Sequence, residues 1–367
     1  MKTEHLYIAG LAAHVPRLWP IAEAVAAGRP GAEQARDDGW TSVSVADDTP
    51  APELAAEAAR LALKRSGLTA GEVCLVMHTG IYHQGPDGWF SANYVQDQVL
   101  GTTAPAIGLN QGCTAMLDGA RLAHGYLAHA PQGSAVLVSA ADNFGVTAAD
   151  GAGVPAAGGS GAPTTDRFTY AHGWSTGRGS ILGDAGCAVL LSATAGPLRI
   201  RSLAHSSLSS WERLYRGTER MFPPGPAVGT SIPLGLRMSA YADQVTDRDL
   251  RTAMARELME ARTAVAGQAI DEAGLTPADI TRVTHVFSGD PRYIQGLLRP
   301  LGIAPERGML DLGRALGHLG SCDQFLSLAH LVETGAVGPG DHVLLMSNGG
   351  SHSVAAAVVE ILERPGW

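Results

Sequence analysis

The chain alternates between short apolar runs of strand length and longer runs in which apolar residues recur with helical spacing. Residues 73–77 and 135–139 are almost wholly apolar, which is typical of buried strands covered on both faces. Residues 52–66 place leucines and alanines on one face and Gly67 follows as a stop signal, so the spacing predicts a helix there. A longer helix is predicted over residues 247–273. Strands and helices in this order predict an α/β fold.

The rest of the pattern is less regular. Residues 6–9 predict a first strand, and the Gly- and Pro-containing region from there to about Pro50 predicts no regular element. Residues 151–163 are rich in Gly, Ala and Pro and are expected to form a mobile loop. Glycines within residues 177–192 precede an apolar run, which predicts a tight turn into a buried strand and argues against a dinucleotide-binding turn.

The stretch with the clearest candidate chemistry is residues 107–127, IGLNQGCTAMLDGARLAHGYL. Ile107 and Leu109 predict a buried strand, the next three residues predict a turn, and the run that follows predicts a helix. Cys113 is therefore expected at a helix N-terminus, where unpaired N–H groups and the helix dipole favour the nucleophilic thiolate. The alternative is a small thiol buried in the core.

Composition and charge narrow the function classes. Hydrophobic residues make up 45% of the 367 residues and charged residues 17%, which is typical of a compact globular protein. The net charge of −9 argues against general binding to nucleic acid or to acidic membranes. No apolar run is long enough to cross a membrane. The N-terminal residues lack the apolar core of a signal peptide, so a cytoplasmic protein is expected.

The four cysteines occur singly along the chain, at positions 74, 113, 187 and 322. Because they form no C-x-x-C pair and no dense framework, reduced thiols are expected. The histidines show no spacing typical of a metal site. The sequence therefore predicts no metal and no tightly bound cofactor.

Three segments of the first half of the chain recur in the same order in the second half. GLTAGEV at residues 67–73 resembles GLTPADI at 274–280, residues 107–127 are similar to 310–335, and residues 136–143 are similar to 343–350. Repeats in the same order predict a duplicated α/β unit, with one half at residues 1–195 and the other at 196–367. Pseudo-twofold symmetry is then expected to bring Cys113 and His318 to comparable places around one shared site.

Taken together, these residues resemble the thiolase-like superfamily, and specifically the enzymes similar to ketoacyl-ACP synthase III. The resemblance extends over nearly the whole chain and rests on the motifs NQGCTAMLDGA, GDAGCAVLL, GLTPADI and SNGGS. It implies a layered α-β-α-β-α fold made of two duplicated halves. It also implies a homodimer.

The same resemblance implies roles for two residues. Cys113 matches the family's nucleophile, which takes an acyl group from a thioester carried on pantetheine. The N–H of Cys113 and that of Gly350, in the C-terminal glycine turn, are expected to form an oxyanion hole. The carrier is a substrate, either an acyl carrier protein or coenzyme A. Residues 40–47 lack the basic side chains expected for coenzyme A, which favours the carrier protein.

Three positions depart from the condensing members of the family. Phe287 stands where those enzymes carry the histidine of a His-Gln-Ala-Asn motif, and Asp290 replaces the asparagine of that motif. His318 stands at the position of the family's second asparagine. Because that histidine and asparagine support decarboxylation of a malonyl thioester, their replacement argues against carbon–carbon bond formation.

Residues 317–323 instead resemble the GHxGxxD pattern of the branch that transfers acyl groups to hydroxyl or amine acceptors. In that branch an aspartate completes a Cys-His-Asp triad, so Asp323 is predicted to orient a histidine base. We place His285 first as that base, because it lies on the strand face of the family's histidine, with His318 second and His205 third. The simpler alternative for Asp323 is a carboxylate that complements a helix dipole.

The sequence therefore predicts an acyltransferase of specialised metabolism, which moves an acyl group through Cys113 to a small hydroxyl or amine acceptor. Two alternatives stay open. One is a decarboxylative condensing enzyme, and the other is a non-catalytic partner subunit that completes a heterodimer. The retention of Cys113 and Gly350 argues against the partner subunit.

Overall fold

The structure is a computed structural model that describes residues 1–29, 31–86, 88–144, 170–171, 179–217, 220–221, 248–349 and 353–367. The predicted loop at residues 151–163 lies outside the described residues. Strands within these ranges are β1 (Tyr7–His14), β2 (Arg17–Pro20), β3 (Ser42–Val45), β4 (Val73–Thr79), β5 (Ala106–Leu109), β6 (Ala135–Asp142), β7 (Tyr170–Ala171), β8 (Gly179–Ser180), β9 (Ala185–Ser192), β10 (Leu198–Ser207), β11 (Ile280–Thr284), β12 (His342–Asn348) and β13 (Ser353–Ile361). Helices are α1 (Ile21–Ala26), α2 (Ala32–Asp37), α3 (Ala51–Ser66), α4 (Ser91–Val99), α5 (Ala115–Leu127), α6 (Arg213–Arg216), α7 (Arg248–Glu272), α8 (Pro291–Leu298), α9 (Leu310–Leu316) and α10 (Asp323–Glu333).

Nine strands form one continuous sheet in the order β11-β12-β13-β10-β1-β9-β6-β4-β5. In the first half, β4 runs parallel to β6, and β9 pairs antiparallel with both β6 and β1. In the second half, β11 runs parallel to β12, and β13 pairs antiparallel with both β12 and β10. The two halves therefore repeat one strand order, and they join where β1 pairs with β10 through Tyr7 and Ile8.

Helices cover this sheet in layers. α3 packs on the outer face of the first half and α7 on the outer face of the second half, each over its own apolar cluster. α5 and α10 pack between the two halves, where their apolar faces share one core. The predicted α-β-α-β-α layering is thus confirmed, and the central layer carries the helices that follow Cys113 and His318.

The first segment of the internal repeat has the same local structure in both halves, whereas in the second segment the helix α9 stands where the first half has the strand β5. Each long outer helix, α3 or α7, is followed by a glycine with a left-handed φ, then by a short 3₁₀ turn and a strand. Both turns carry a capping box, formed by Thr69 with Glu72 and by Thr276 with Asp279. The duplicated unit is confirmed in this detail. The boundary predicted at residue 195 lies between β9 and β10 and stays a prediction.

Two expectations from the sequence are wrong. The region before Pro50 is not irregular, because it contains β2, β3, α1 and α2, each of only four or six residues. Elements this short leave no periodic pattern that a sequence can reveal. β5 is not buried either, since it is the edge strand of the sheet and Ile107 is 47% exposed. Among the described helices, none is long and apolar enough to cross a membrane.

Candidate active site

Cys113 lies where the chain passes from β5 into α5. A 3₁₀ turn spans Gly112–Thr114, and α5 begins at Ala115. The cysteine side chain is half-buried, and its backbone carbonyl accepts a hydrogen bond from Oγ of Ser347 at 2.7 Å. β12 of the second half therefore helps to hold the turn. Cys113 stands directly before a helix N-terminus, as the sequence predicts.

His318 and Asp323 come from the second half and form a line of side chains with Cys113. Sγ of Cys113 is 3.3 Å from Nε2 of His318, and Nδ1 of the same ring is 2.6 Å from Oδ2 of Asp323. The carboxylate also accepts hydrogen bonds from the backbone N–H groups of Phe287 and Leu319, each at 2.8 Å. Because an ionised carboxylate can only accept, Nδ1 carries a proton and Nε2 faces the thiol.

The surroundings of His318 favour its charged form. The ring is buried, and burial by itself lowers the pKa of a histidine. Asp323 and Cys113 act in the opposite direction through charge and hydrogen bonding, and together they raise the pKa of His318 well above its ordinary value. The site therefore favours an imidazolium whose Nε2 faces Sγ of Cys113, and a cationic neighbour of this kind is what activates catalytic cysteines.

A second buried carboxylate, which no sequence pattern signalled, lies near this line. Oδ1 of Asp142, at the end of β6, accepts hydrogen bonds from the N–H groups of Ile81 at 2.7 Å and Tyr82 at 3.0 Å. A Cβ placed on Gly320 would come within 2.6 Å of Oδ2 of Asp142. Burial raises the pKa of Asp142 to about 7. The backbone hydrogen bonds and the charge of His318 have the opposite effect and lower this pKa. This carboxyl group changes charge near neutral pH.

His285, the first choice for the base from sequence, has both ring nitrogens bound to the backbone. Nε2 accepts a hydrogen bond from the N–H of Met309 at 3.0 Å, so Nδ1 carries the proton and donates to the carbonyl of Val286 at 2.8 Å. Burial lowers the pKa of His285, which keeps the ring neutral. A base needs a nitrogen free to take a proton, so the geometry reverses the predicted ranking and favours His318.

The other candidates also have structural partners. Nδ1 of His205 is 2.7 Å from Oδ1 of Asp118, in the first turn of α5. Cys322 is fully buried, and burial together with neighbouring Cys187 raises its pKa well above its ordinary value. Cys322 therefore stays a neutral thiol. Within the described ranges, no group of three His, Cys, Asp or Glu residues could hold a metal ion.

Gly350 lies outside the described residues, so its part in an oxyanion hole stays a prediction. The neighbouring Gly349 packs tightly against the cysteine turn. A Cβ at Gly349 would come within 2.9 Å of the carbonyl oxygen of Gln111 and 3.2 Å of the nitrogen of Cys113. The end of β12 can approach the backbone of the nucleophile this closely because Gly349 has no side chain.

Phe287 and Asp290 fill the positions at which condensing relatives were expected to carry a histidine and an asparagine. The Phe287 side chain is fully buried, and a Cβ on Gly313 would come within 3.2 Å of it. Asp290 caps α8 by accepting a hydrogen bond from the N–H of Arg292 at 2.9 Å, and it also pairs with that guanidinium. Both residues therefore have structural tasks in this protein.

Comparison with known proteins shows the family of the chain. A solved structure named ChlB3 and described as an acyltransferase is 31% identical, covers 99% of this chain and 100% of its own, and gives a TM-score of 0.84. The chain belongs to the ketoacyl-ACP synthase III-like family. Residues 270–361 match the family model for the C-terminal part of 3-oxoacyl-[acyl-carrier-protein] synthase III.

More distant structures share the synthase III-like fold. The 3-oxoacyl-(acyl carrier protein) synthase III of Xanthomonas oryzae pv. oryzae, FabH, is 18% identical, with a TM-score of 0.72 over 98% of this chain and 100% of its own. OleA of Xanthomonas campestris is 16% identical, with a TM-score of 0.69 over 98% of this chain and 99% of its own. At these identities the likeness concerns the fold alone. No curated protein sequence matches the chain.

Proposed function

We propose that this synthase III-like enzyme is an acyltransferase, which loads an acyl group from a carrier thioester onto Cys113 and passes it to a hydroxyl or amine acceptor. The observation that carries the proposal is the hydrogen-bonded line of Cys113, His318 and Asp323. The 31% identical ChlB3, described as an acyltransferase, supports the same activity.

The first step forms the acyl-enzyme. The thiolate of Cys113 attacks the thioester carbonyl carbon, and the bond from that carbon to the pantetheine sulfur breaks. The departing sulfur takes the proton from Nε2 of His318 and leaves as a thiol, so His318 becomes neutral. We assign the N–H groups of Cys113 and Gly350 to the transient oxyanion, where each donor contributes about 3 to 4 kcal/mol in enzymes of this type.

The second step uses His318 in the opposite direction. Acylation removes the negative charge of Cys113, which is one of the two groups that raise the pKa of His318. The neutral Nε2 can then take the proton of the acceptor hydroxyl or amine while that oxygen or nitrogen attacks the acyl carbonyl. The bond between the acyl group and Cys113 breaks, and the thiolate returns beside the imidazolium. Asp323 orients the ring throughout.

Condensation would need a different second step. Decarboxylation of a malonyl thioester leaves an enolate, whose oxygen requires hydrogen-bond donors aimed at it. Phe287 has no side-chain donor at the position where condensing relatives carry histidine. The Nδ1 proton of His318 is directed to Asp323 at 2.6 Å. These side chains therefore suit proton removal from an acceptor better than stabilisation of an enolate.

We further propose an acyl carrier protein as the donor and specialised metabolism as the setting. The choice of carrier rests on residues 40–47, which contain no Lys or Arg for the phosphates of coenzyme A. Acylation rates with one acyl group on an acyl carrier protein, on coenzyme A and on pantetheine test the choice of carrier. A higher rate with coenzyme A than with the carrier protein would contradict it.

The experiment that tests the activity follows both reactions from one acyl-enzyme. Intact-protein mass spectrometry with a panel of acyl carriers first identifies a thioester that adds its acyl mass, and Cys113→Ala should not gain that mass. The acyl-enzyme is then offered labelled malonyl carrier or a mixture of hydroxyl and amine acceptors. We expect an ester or amide product and no carbon dioxide. Stoichiometric carbon dioxide with a β-ketoacyl product would overturn the proposal in favour of a condensing enzyme.

A further inference from the structure

Arg262 occupies a core position of α7. Buried apolar residues recur along this helix at Leu258, Val265 and Ala269, and Arg262 falls on the same face with only 6% of its surface exposed. Steps of three and four residues are the spacing of an apolar helix face. A guanidinium therefore stands where the helical pattern places an apolar side chain.

This guanidinium has no carboxylate or carbonyl partner in the part of the chain that the structure describes. Its Nε is buried without a hydrogen bond, and its Nη1 contacts the thioether sulfur of Met259 at 3.7 Å. A thioether is a weak acceptor, whereas a guanidinium has five N–H donors. A buried charge in this state is strongly unfavourable, so the environment of Arg262 lacks an anion.

Tyr293 connects Arg262 to the active site. The Cζ of Arg262 is 5.8 Å from the centroid of the Tyr293 ring, which is within the range of cation–π attraction. The Tyr293 hydroxyl donates to Oδ1 of Asn348 at 3.2 Å, and Asn348 directly follows the serine that bonds the carbonyl of Cys113. Burial raises the pKa of this hydroxyl. Arg262 lowers the same pKa and Cys113 raises it, so Arg262 and Cys113 both act on Tyr293.

We propose that Arg262 binds a carboxylate of the substrate, carried either by the acyl group or by the acceptor. The inference rests on the proposed acyl transfer and narrows its substrates to acids. A carboxylate presents two oxygens to the fork of guanidinium donors, which supplies a partner for the buried Nε. Tyr293 acts as the positioning residue, because its ring holds the guanidinium from one side.

The first arm of the test measures acylation. The probes are malonyl, succinyl and glutaryl thioesters of N-acetylcysteamine, each paired with its monomethyl ester, and mass spectrometry follows acyl transfer to Cys113. If the acyl group carries the carboxylate, wild type should react about tenfold faster with one acid than with its ester, as expected for one charge-assisted hydrogen bond. Arg262→Gln should abolish that preference, and Arg262→Lys should restore part of it. Arg256→Gln, at an exposed position of α7, is the matched control and should keep it.

The second arm asks whether the acceptor carries the carboxylate. Enzyme acylated with a neutral butyryl group is offered glycolate and methyl glycolate, and the rates of ester formation are compared in wild type and in Arg262→Gln. A preference for glycolate that Arg262→Gln removes assigns the carboxylate to the acceptor. A core-filling role for Arg262 would instead change the rates of acids and esters equally, and their ratio would not move.

A third measurement does not depend on catalysis. Glutarate should raise the melting temperature of unreacted wild-type protein more than that of Arg262→Gln, because a ligand that binds only the folded state stabilises it. Equal rates for acids and esters in both arms, or a preference that persists in Arg262→Gln, would overturn the assignment and leave the acyltransferase proposal standing. If no thioester acylates Cys113, the proposed function fails instead. In that case the melting temperatures test the Arg262 site by themselves. If glutarate shifts the melting temperatures of wild type and Arg262→Gln equally, or shifts neither, the Arg262 site is rejected.

Discussion

At the scale of single residues, the charge of His318 depends on two neighbours that oppose the effect of burial. Burial lowers the pKa of His318, while Asp323 and Cys113 raise it, and the outcome lies well above the ordinary value. In the proposed mechanism, acylation of Cys113 removes one of these two neighbours, and Asp323 stays beside the ring. Under this proposal, acylation is the event that turns His318 from an acid into a base.

We expect this coupling to be visible in an NMR titration. The pKa of His318 should be well above the usual histidine range in wild type and lower in Cys113→Ala, because Cys113 is one of the two groups that raise it. Asp323→Asn should lower it as well. His78, whose pKa burial lowers to about 4, is an internal reference that should not move. Equal His318 pKa values in wild type and Cys113→Ala would contradict the proposed coupling.

Asp142 makes a separate prediction about stability and pH. Burial raises the pKa of the Asp142 carboxyl to about 7 in the folded state. At pH values between the lower pKa of this carboxyl in the unfolded chain and pH 7, the folded state therefore binds a proton that the unfolded state does not bind. The free energy of unfolding should therefore fall as pH rises, by about 1 kcal/mol per pH unit between about pH 5 and 7. Asp142→Asn keeps a carbonyl oxygen for Ile81 and Tyr82 and should lack this fall. Urea denaturation of both proteins measures it, and parallel stability curves would argue against a raised pKa.

The candidate residues show where reasoning from sequence reaches its limit. The motif around Cys113 and the GHxGxxD pattern point to Cys113, His318 and Asp323, which the structure brings into one hydrogen-bonded line, while their catalytic roles stay a prediction. The sequence could not rank His285 correctly. Strand periodicity shows on which face His285 lies, but it does not show that the N–H of Met309 already donates a hydrogen bond to its Nε2. Arg262 gave no signal either, since a basic residue in a long helix is ordinarily taken to face solvent.

At the scale of elements, the duplicated unit was predictable and the first fifty residues were not. The long helices, the glycines that end them and the apolar strands that follow produce strong patterns in both halves. The strands and helices between β1 and α3 are too short to show a period. Their positions depend on contacts with distant segments, such as the hydrogen bonds from Thr41 and Ser42 to the backbone of α9.

The contact between the end of β12 and the cysteine turn gives an element-scale prediction. Gly349→Ala would bring a Cβ within 2.9 Å of the Gln111 carbonyl, which is backbone and cannot turn aside. The turn that holds Cys113 should shift, and acylation should slow by about tenfold to a hundredfold, as misplaced reacting groups generally cause.

Gly338→Ala is the matched control for this prediction. A Cβ at Gly338 would have nothing within 4 Å, so acylation should keep the wild-type rate. Single-turnover acylation by the thioester identified above is the measurement. An unchanged rate in Gly349→Ala would show that the turn tolerates the added carbon and that the contact does not position the nucleophile.

At the scale of the whole molecule, one edge of the sheet has an apolar surface beside its edge strand, β5. β5 is the edge strand of the first half, and Ile107, Leu122 and Tyr126 on β5 and α5 are 47%, 54% and 42% exposed. An exposed strand edge flanked by apolar side chains favours association. We propose that a second copy of the chain covers this edge, as the family resemblance implies.

Light scattering at micromolar concentration should give about twice the 37.9 kDa chain mass. Leu122→Arg should shift the protein toward the monomer, because a charge would be buried against the second copy. Leu18→Arg is the control, since Leu18 is 45% exposed on β2, which belongs to a separate two-stranded sheet with β3. A wild-type monomer that still turns over substrate would remove the dimer from the proposal.

The proposed nucleophile and its base lie 205 positions apart in the chain, and this separation has a consequence for biosynthesis. Cys113 leaves the ribosome with the first half, whereas His318 emerges only when most of the chain has been made. Under the proposed mechanism, the nascent first half carries the Cys113 thiol without His318 to activate it. We therefore expect acyl carriers that meet an unfinished chain to keep their acyl groups, and the enzyme to become reactive only when His318 has folded beside Cys113.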